Sequence, residues 1–207
     1  MYEELAGLVP STEKTIKNVH ARVYWRDPRD VDSPLDTLIN TARQAYAVYG
    51  TVPTRDAYDD KAPTCVVYLT YGDIVECVTL RFVPAMGDPI STEDLDQVRV
   101  GDLALRECVQ QCQHVEHTTT LSRICALPVC EKTEFGWEPT APPRRHLTLG
   151  VAVAVGAWTE RVTDKHWLTA RCHQKMSTRF AEFGFQLPTL QQFLLDQGVG
   201  QVAVGMD

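Results

Sequence analysis

The segment from Thr64 to Pro84 constrains this chain more than any other. Thr64–Tyr71 and Ile74–Pro84 are dense in Thr, Val, Tyr, Leu and Phe, residues that suit a pleated and largely buried surface, and only Gly72-Asp73 separates them. A two-residue connection containing glycine favours an antiparallel hairpin. The chain is therefore expected to build around a β-sheet.

Elements on either side follow from apolar spacing. Val19–Trp25 alternates as a half-buried strand does, with Val23 and Trp25 on one face and Arg22 and Tyr24 on the other. Leu35, Leu38, Ile39, Ala42, Ala45, Tyr46 and Tyr49 recur at three and four residues before Gly50, the pattern of an amphipathic helix with a glycine stop. The stretch 92–113 reads as a further helix, and 118–127 as a strand. Prolines and glycine mark 131–143 as a loop. His146–Arg161 reads as a helix by its length, despite its valines; 166–172 as a strand; and 174–183 as a helix stopped by Gly184, after which the chain returns toward the sheet. Residues 1–18 are polar and are expected to be helical or loosely attached.

With 207 residues and 44% apolar content, one substantial core is expected, in a single domain spanning residues 1–207. Glu3, Glu4, Glu13 and Lys14 interrupt any leader-like apolar run, and no stretch approaches the roughly 18 apolar residues of a membrane span, so a cytoplasmic protein is expected. Seven cysteines without repeated spacing argue against a disulfide framework. Cys108 and Cys112 lack a second Cys/His pair at metal spacing, so no metal is expected. Cys172 and His173 are neighbours on one strand and point to opposite faces, which disfavours a nucleophile pair. No phosphate-binding glycine loop of the Walker or Rossmann kind is present.

Charge is unevenly spread. Arg144, Arg145, Arg161, Lys165, Arg171, Lys175 and Arg179 face only Glu160 and Asp164 within 141–180, in a chain whose net charge is −7. An acidic chain with one basic segment is a poor nucleic-acid binder, but offers a landing place for a phosphate or an acidic protein.

Three short motifs recur in order: Asp56-Ala57-Tyr58-Asp59, then Leu80-Arg81-Phe82-Val83-Pro84, then Leu121-Ser122-Arg123-Ile124-Cys125-Ala126. In that order and spacing they resemble the acyl-homoserine-lactone synthases and the related long-chain N-acyl amino acid synthases. The resemblance covers roughly residues 35–185. It implies a GNAT-like acyl-CoA N-acyltransferase fold of the α/β (α+β) kind, with a mixed, mostly antiparallel sheet flanked by helices. It also implies transfer of a fatty acyl group, from an acyl-carrier-protein or acyl-CoA thioester, to the amine of an amino acid or similar small acceptor. The cofactor would be the acyl-phosphopantetheine thioester itself.

The resemblance places Asp56, Asp59, Arg81 and Arg43 at the acceptor, Arg43 standing one residue out of the usual spacing. It expects these aspartates and Arg81 to converge on one pocket beside Arg123. Carboxylates can hold an ammonium group, and an arginine can orient those carboxylates or take a carboxylate bidentately; a plain Asp–Arg network fixing a loop is the alternative. Ser122 and Arg123 take the catalytic strand, flanked by Leu121 and Ile124 at the acyl donor. Thr120 stands where the family has glutamate, and Glu131, Glu116 or Glu134 could substitute as a base. Arg144, Arg145 and Gly150 are the nearest match to the donor-phosphate loop, with Thr148 for its first glycine. His173 is read as structural. Two alternatives stay open: an acetyl-CoA-dependent N-acetyltransferase, and an inactive GNAT-like domain that binds an acyl ligand.

Overall fold

The computed structural model describes residues 5, 7–46, 59–84, 118–134, 136–139, 147–162, 167–182, 184–186 and 201–206. In chain order they form β1 (Thr12–Ile16), β2 (Val19–Arg26), α1 (Leu35–Tyr46), β3 (Thr64–Tyr71), β4 (Ile74–Pro84), β5 (Thr118–Ala126), β6 (Cys130–Thr133), β7 (Gly136–Pro139), α2 (Leu147–Arg161), β8 (Trp167–His173), α3 (Gln174–Glu182) and β9 (Gln201–Met206). This is a mixed, mostly antiparallel sheet flanked by helices, the fold class that the sequence implies. The reading of 92–113 as a helix lies outside the described residues.

The chain divides into two compact units, one of Met1–Arg81 with Arg123–Arg161 and one of Phe82–Ser122 with Val162–Asp207. In the first, β3 and β4 pair antiparallel across Gly72, whose φ of 59° suits the residue with no Cβ. β2 pairs with β3, and β1 with β2, both antiparallel. β1 corrects the expectation for residues 1–18. Its sequence Thr-Glu-Lys-Thr-Ile has four exposed residues, so no apolar pattern announces it; backbone pairing with β2 holds it.

The 131–143 loop is a second correction, because β6 pairs with β4 and β7 pairs with β6. These two strands form a short hairpin that carries no apolar alternation for the sequence to display.

β2 is not half-buried as expected, since this sheet is covered on both faces. On one face α1 packs Leu35, Leu38, Ile39 and Ala42 with Tyr24, Val66, Tyr68 and Cys77. Ser33 caps α1 just before Pro34, with Ser33 Oγ 3.4 Å from the Leu35 amide. On the other face α2 buries Val151, Ala154, Ala157 and Trp158. Trp158 meets Trp25 of β2 at a ring distance of 5.8 Å, and the Arg161 guanidinium lies 4.8 Å above the Trp25 ring. Gly150 is what lets α2 settle, since a Cβ there would stand 2.7 Å from Val78 Cγ2 of β4.

In the second unit, Thr118–Leu121 of β5 pair in parallel with Trp167–Ala170 of β8, and β8 pairs antiparallel with β9. α3 packs on β8 and β9. It ends at Gly184, with φ 89° and its amide on Ala181 O at 3.0 Å, and Phe180 meets Phe185 edge-on at 5.0 Å. No helix of the described residues is long and apolar enough to cross a membrane.

Candidate functional site

Strand alternation and register set a charged row on the α1 face of the first unit. Arg26 of β2 stands opposite Thr64 of β3, and Thr64 stands opposite Arg81 of β4, so all three share one face. Arg43 comes down onto this row from the last turn of α1, where a cation also suits the helix dipole. The turn that leads into β3 supplies Asp59.

Asp59 gathers them. Arg43 donates through both terminal nitrogens, Nη1 to Oδ2 at 2.7 Å and Nη2 to Oδ1 at 2.6 Å, a bidentate pair. Arg81 Nη1 donates to the same Oδ1 at 3.2 Å, and Arg26 Nη1 donates to the Asp59 carbonyl at 2.8 Å. Arg26 Nε is held in turn by Asp36 Oδ1 at 3.0 Å. Arg81 is 0% exposed, Arg43 2% and Asp59 8%, so these charges have left water and their mutual bonds must offset that cost.

Arg43 and Asp59 are 16 residues apart in sequence, and Asp59 and Arg81 are 22 apart. Three of the four residues assigned to the acceptor thus meet at one carboxylate. The fourth, Asp56, lies outside the described residues. Arg26 is a member that sequence reasoning missed; its signal is an arginine in phase with the buried Tyr24 at the end of a strand. The Asp59 carboxylate accepts from two guanidinium groups at once, which ties Arg43 and Arg81 to one point.

The residues assigned to acyl transfer lie on β5. Leu121 is buried, Ser122 and Ile124 are partly buried, and Arg123 adopts φ 52°, the left-handed region, within the strand. The register with β8 covers Thr118 to Leu121, and β5 continues to Ala126. Thr120, also buried, shares a hydrogen bond of 2.9 Å with Thr169, its register partner. A hydroxyl pair therefore occupies the position where the resemblance leads one to look for a carboxylate.

Glu131 sits exposed on β6 with Ile74 and Glu138 as cross-strand neighbours, and Glu134 is exposed in the following turn. Gly150 lies against Val78, where its described role is close packing. Arg144 and Arg145 lie outside the described residues, as does Glu116. An open groove of about 580 Å³ lies in the first unit, lined by Tyr24, Trp25, Arg29 and Leu35 among others. None of the residues assigned from the motifs lines it.

Several neutral groups near the row titrate abnormally because they are buried. Burial pushes the Cys77 thiol up to about 12, and pushes Cys65 higher still. Tyr68 rises to about 12 through burial, against the opposing pull of Arg22, whose guanidinium lies 5.0 Å over its ring. Such thiols are inert rather than nucleophilic. Among the described residues no three His, Cys, Asp or Glu side chains gather as a metal site requires.

Comparison with models of known protein families finds no match, and comparison with curated proteins finds none either. Among solved structures, the chain is similar to one described as the crystal structure of the AHL synthase LasI. The TM-score is 0.47 and the identity 12%, over 90% of this chain and 87% of that one.

Proposed function

We propose that the chain is an N-acyltransferase that moves a fatty acyl group from an acyl-carrier-protein or acyl-CoA thioester to the amine of an amino acid or similar small acceptor. The observation that carries this reading is the meeting of Arg43, Asp59 and Arg81 at one buried carboxylate. Asp59 and Arg81 come from two separate motifs of the series on which the resemblance to the lactone and N-acyl amino acid synthases rests, and Arg43 comes from the helix that precedes them. That Arg43 takes its place despite its shifted spacing supports the same reading.

In this mechanism Asp59 fixes the two guanidinium groups, and these hold the acceptor. The acyl donor lies along β5, flanked by Leu121 and Ile124. The free amine attacks the thioester carbonyl carbon, the carbon–sulfur bond breaks, and the pantetheine thiolate leaves and takes up a proton. Main-chain amides beside Ser122 and Arg123 polarise the carbonyl, as amides aimed at a developing oxyanion do. Arg144 and Arg145, ahead of α2, receive the donor's phosphate. Glu131 is the residue assigned to take the proton that the amine loses.

The Thr120–Thr169 hydroxyl pair favours one other reading, a domain that binds the acyl donor without turning it over. One experiment separates the two. The protein is incubated with acyl-carrier-protein and acyl-CoA thioesters and a panel of amino acids, while thiol release and acylated product are followed. Product formation supports the transferase. Tight donor binding with no thiol release supports the binding domain, and neither one removes both.

A further inference from the structure

Thr79 lies two residues before Arg81 on β4, so the two side chains share the α1 face of the sheet. Its register partner is Val66, and Val66 in turn faces Tyr24, so Thr79 ends the row directly beside that of Arg26, Thr64 and Arg81. It is 1% exposed, and among the described residues its Oγ1 has no hydrogen-bond partner. A buried hydroxyl left unbonded lowers stability, and the similar volume of valine would avoid that loss. β4 uses valine at 75, 78 and 83, but not here.

Side chains two apart on a strand stand roughly 6.5–7 Å from one another. A carboxylate spans that interval, one oxygen accepting from the hydroxyl and the other from a guanidinium. We propose that Thr79 Oγ1 and the Arg81 guanidinium form the two ends of a carboxylate site, and that Thr79 positions the acceptor by its carboxylate. This rests on the acyltransferase reading and narrows it, because the acceptor must then carry a carboxylate next to its amine.

The test compares wild type with Thr79→Val and Thr79→Ser. Each is assayed with an acyl-carrier-protein thioester and with leucine and phenylalanine as acceptors, and the wild type also with isoamylamine and phenethylamine, the same molecules without the carboxylate. The wild type should prefer the amino acids. Thr79→Val should raise KM for them about tenfold, the loss of one hydrogen bond to a charged group, with kcat within about twofold. Its melting temperature should not fall, and Thr79→Ser should restore KM. An unchanged KM in Thr79→Val, or equal use of the decarboxylated amines by the wild type, would overturn the carboxylate site and leave the transferase standing. Absence of transfer to any acceptor would overturn the transferase, and thermal shift with leucine and phenylalanine then decides the site. Stabilisation of the wild type that Thr79→Val loses keeps it, and no stabilisation removes it.

Discussion

The two faces of the β2–β3–β4 sheet are covered by helices that hold on in different ways. Beneath α1, the end of the sheet is tied by charge: three arginines from three elements converge on Asp59. Beneath α2 the buried contacts are matters of shape, with a glycine set against Val78 and two tryptophans meeting at a tilt, and charge enters at the exposed end of the helix, where Glu160 meets Lys14 and Arg161 meets Asp27. Apolar contacts degrade by degrees when trimmed, whereas a buried charge network has few intermediate states. The charged face therefore fixes one geometry.

Mutations can break this contrast directly. Asp59→Ala, which takes from the buried Arg43 and Arg81 the carboxylate they share, should cost about 3–5 kcal/mol in a denaturant titration. A loss below about 1 kcal/mol would mean that the charged face is held much as the other face is.

Alkaline pH sharpens the comparison, since β3 and β4 each turn a buried thiol inward, Cys77 of β4 toward α1 and Cys65 of β3 toward α2. Both are raised above the ordinary thiol value by burial, so ionisation favours the unfolded chain. Their contribution is complete below about pH 9 and is lost as pH rises, toward a folded value near 12 for Cys77 and a higher one for Cys65, at about 1.4 kcal/mol per pH unit for each thiol. Unfolding titrations from pH 8 to 10.5 on wild type and on Cys77→Ala and Cys65→Ala should show the slope falling by a similar amount in each variant.

On the α2 face, Gly150→Ala should cost on the order of 1 kcal/mol, overpacking against Val78 outweighing the better helix propensity of alanine. In a Val78→Ala background the sign should reverse, because the obstructing methyl is gone. A double-mutant cycle measures this coupling, and strict additivity would remove the close-approach account.

The smallest effect belongs to the rim. Arg161→Ala removes the contact over Trp25 and the ion pair with Asp27, both partly exposed, and should cost about 0.5–1 kcal/mol, less at high salt.

How legible each region was in the sequence follows from the same physics. β3, β4 and their connection were readable to the residue, because dense β-branched runs met at a glycine that the turn requires. α2 was readable in spite of its valines, since fifteen residues exceed a strand's usual length. β1, β6 and β7 were not, because exposed strands carry no apolar alternation and are held by backbone bonds to which sequence is nearly blind. In the site, Asp59 and Arg81 could be found from their motifs. Arg43 stood one residue out of register and could be only weakly assigned, yet it makes the shortest bonds to Asp59. Arg26 gave no signal beyond its phase on β2, and its role depends on a turn 33 residues away.

The left-handed residue in β5 bears on a matter of alignment. Thr118, Thr119 and Thr120 are chemically alike, so the paired stretch against β8 would look nearly the same to its neighbour if slid by one residue. Arg123, at φ 52°, breaks that degeneracy from outside the paired stretch. A slip in one direction would ask Ile124 to adopt the left-handed conformation, which its branched Cβ resists. It would also turn Leu121 from one face of the sheet to the other. One arginine thus acts as a key, letting a repetitive strand enter its slot in a single position.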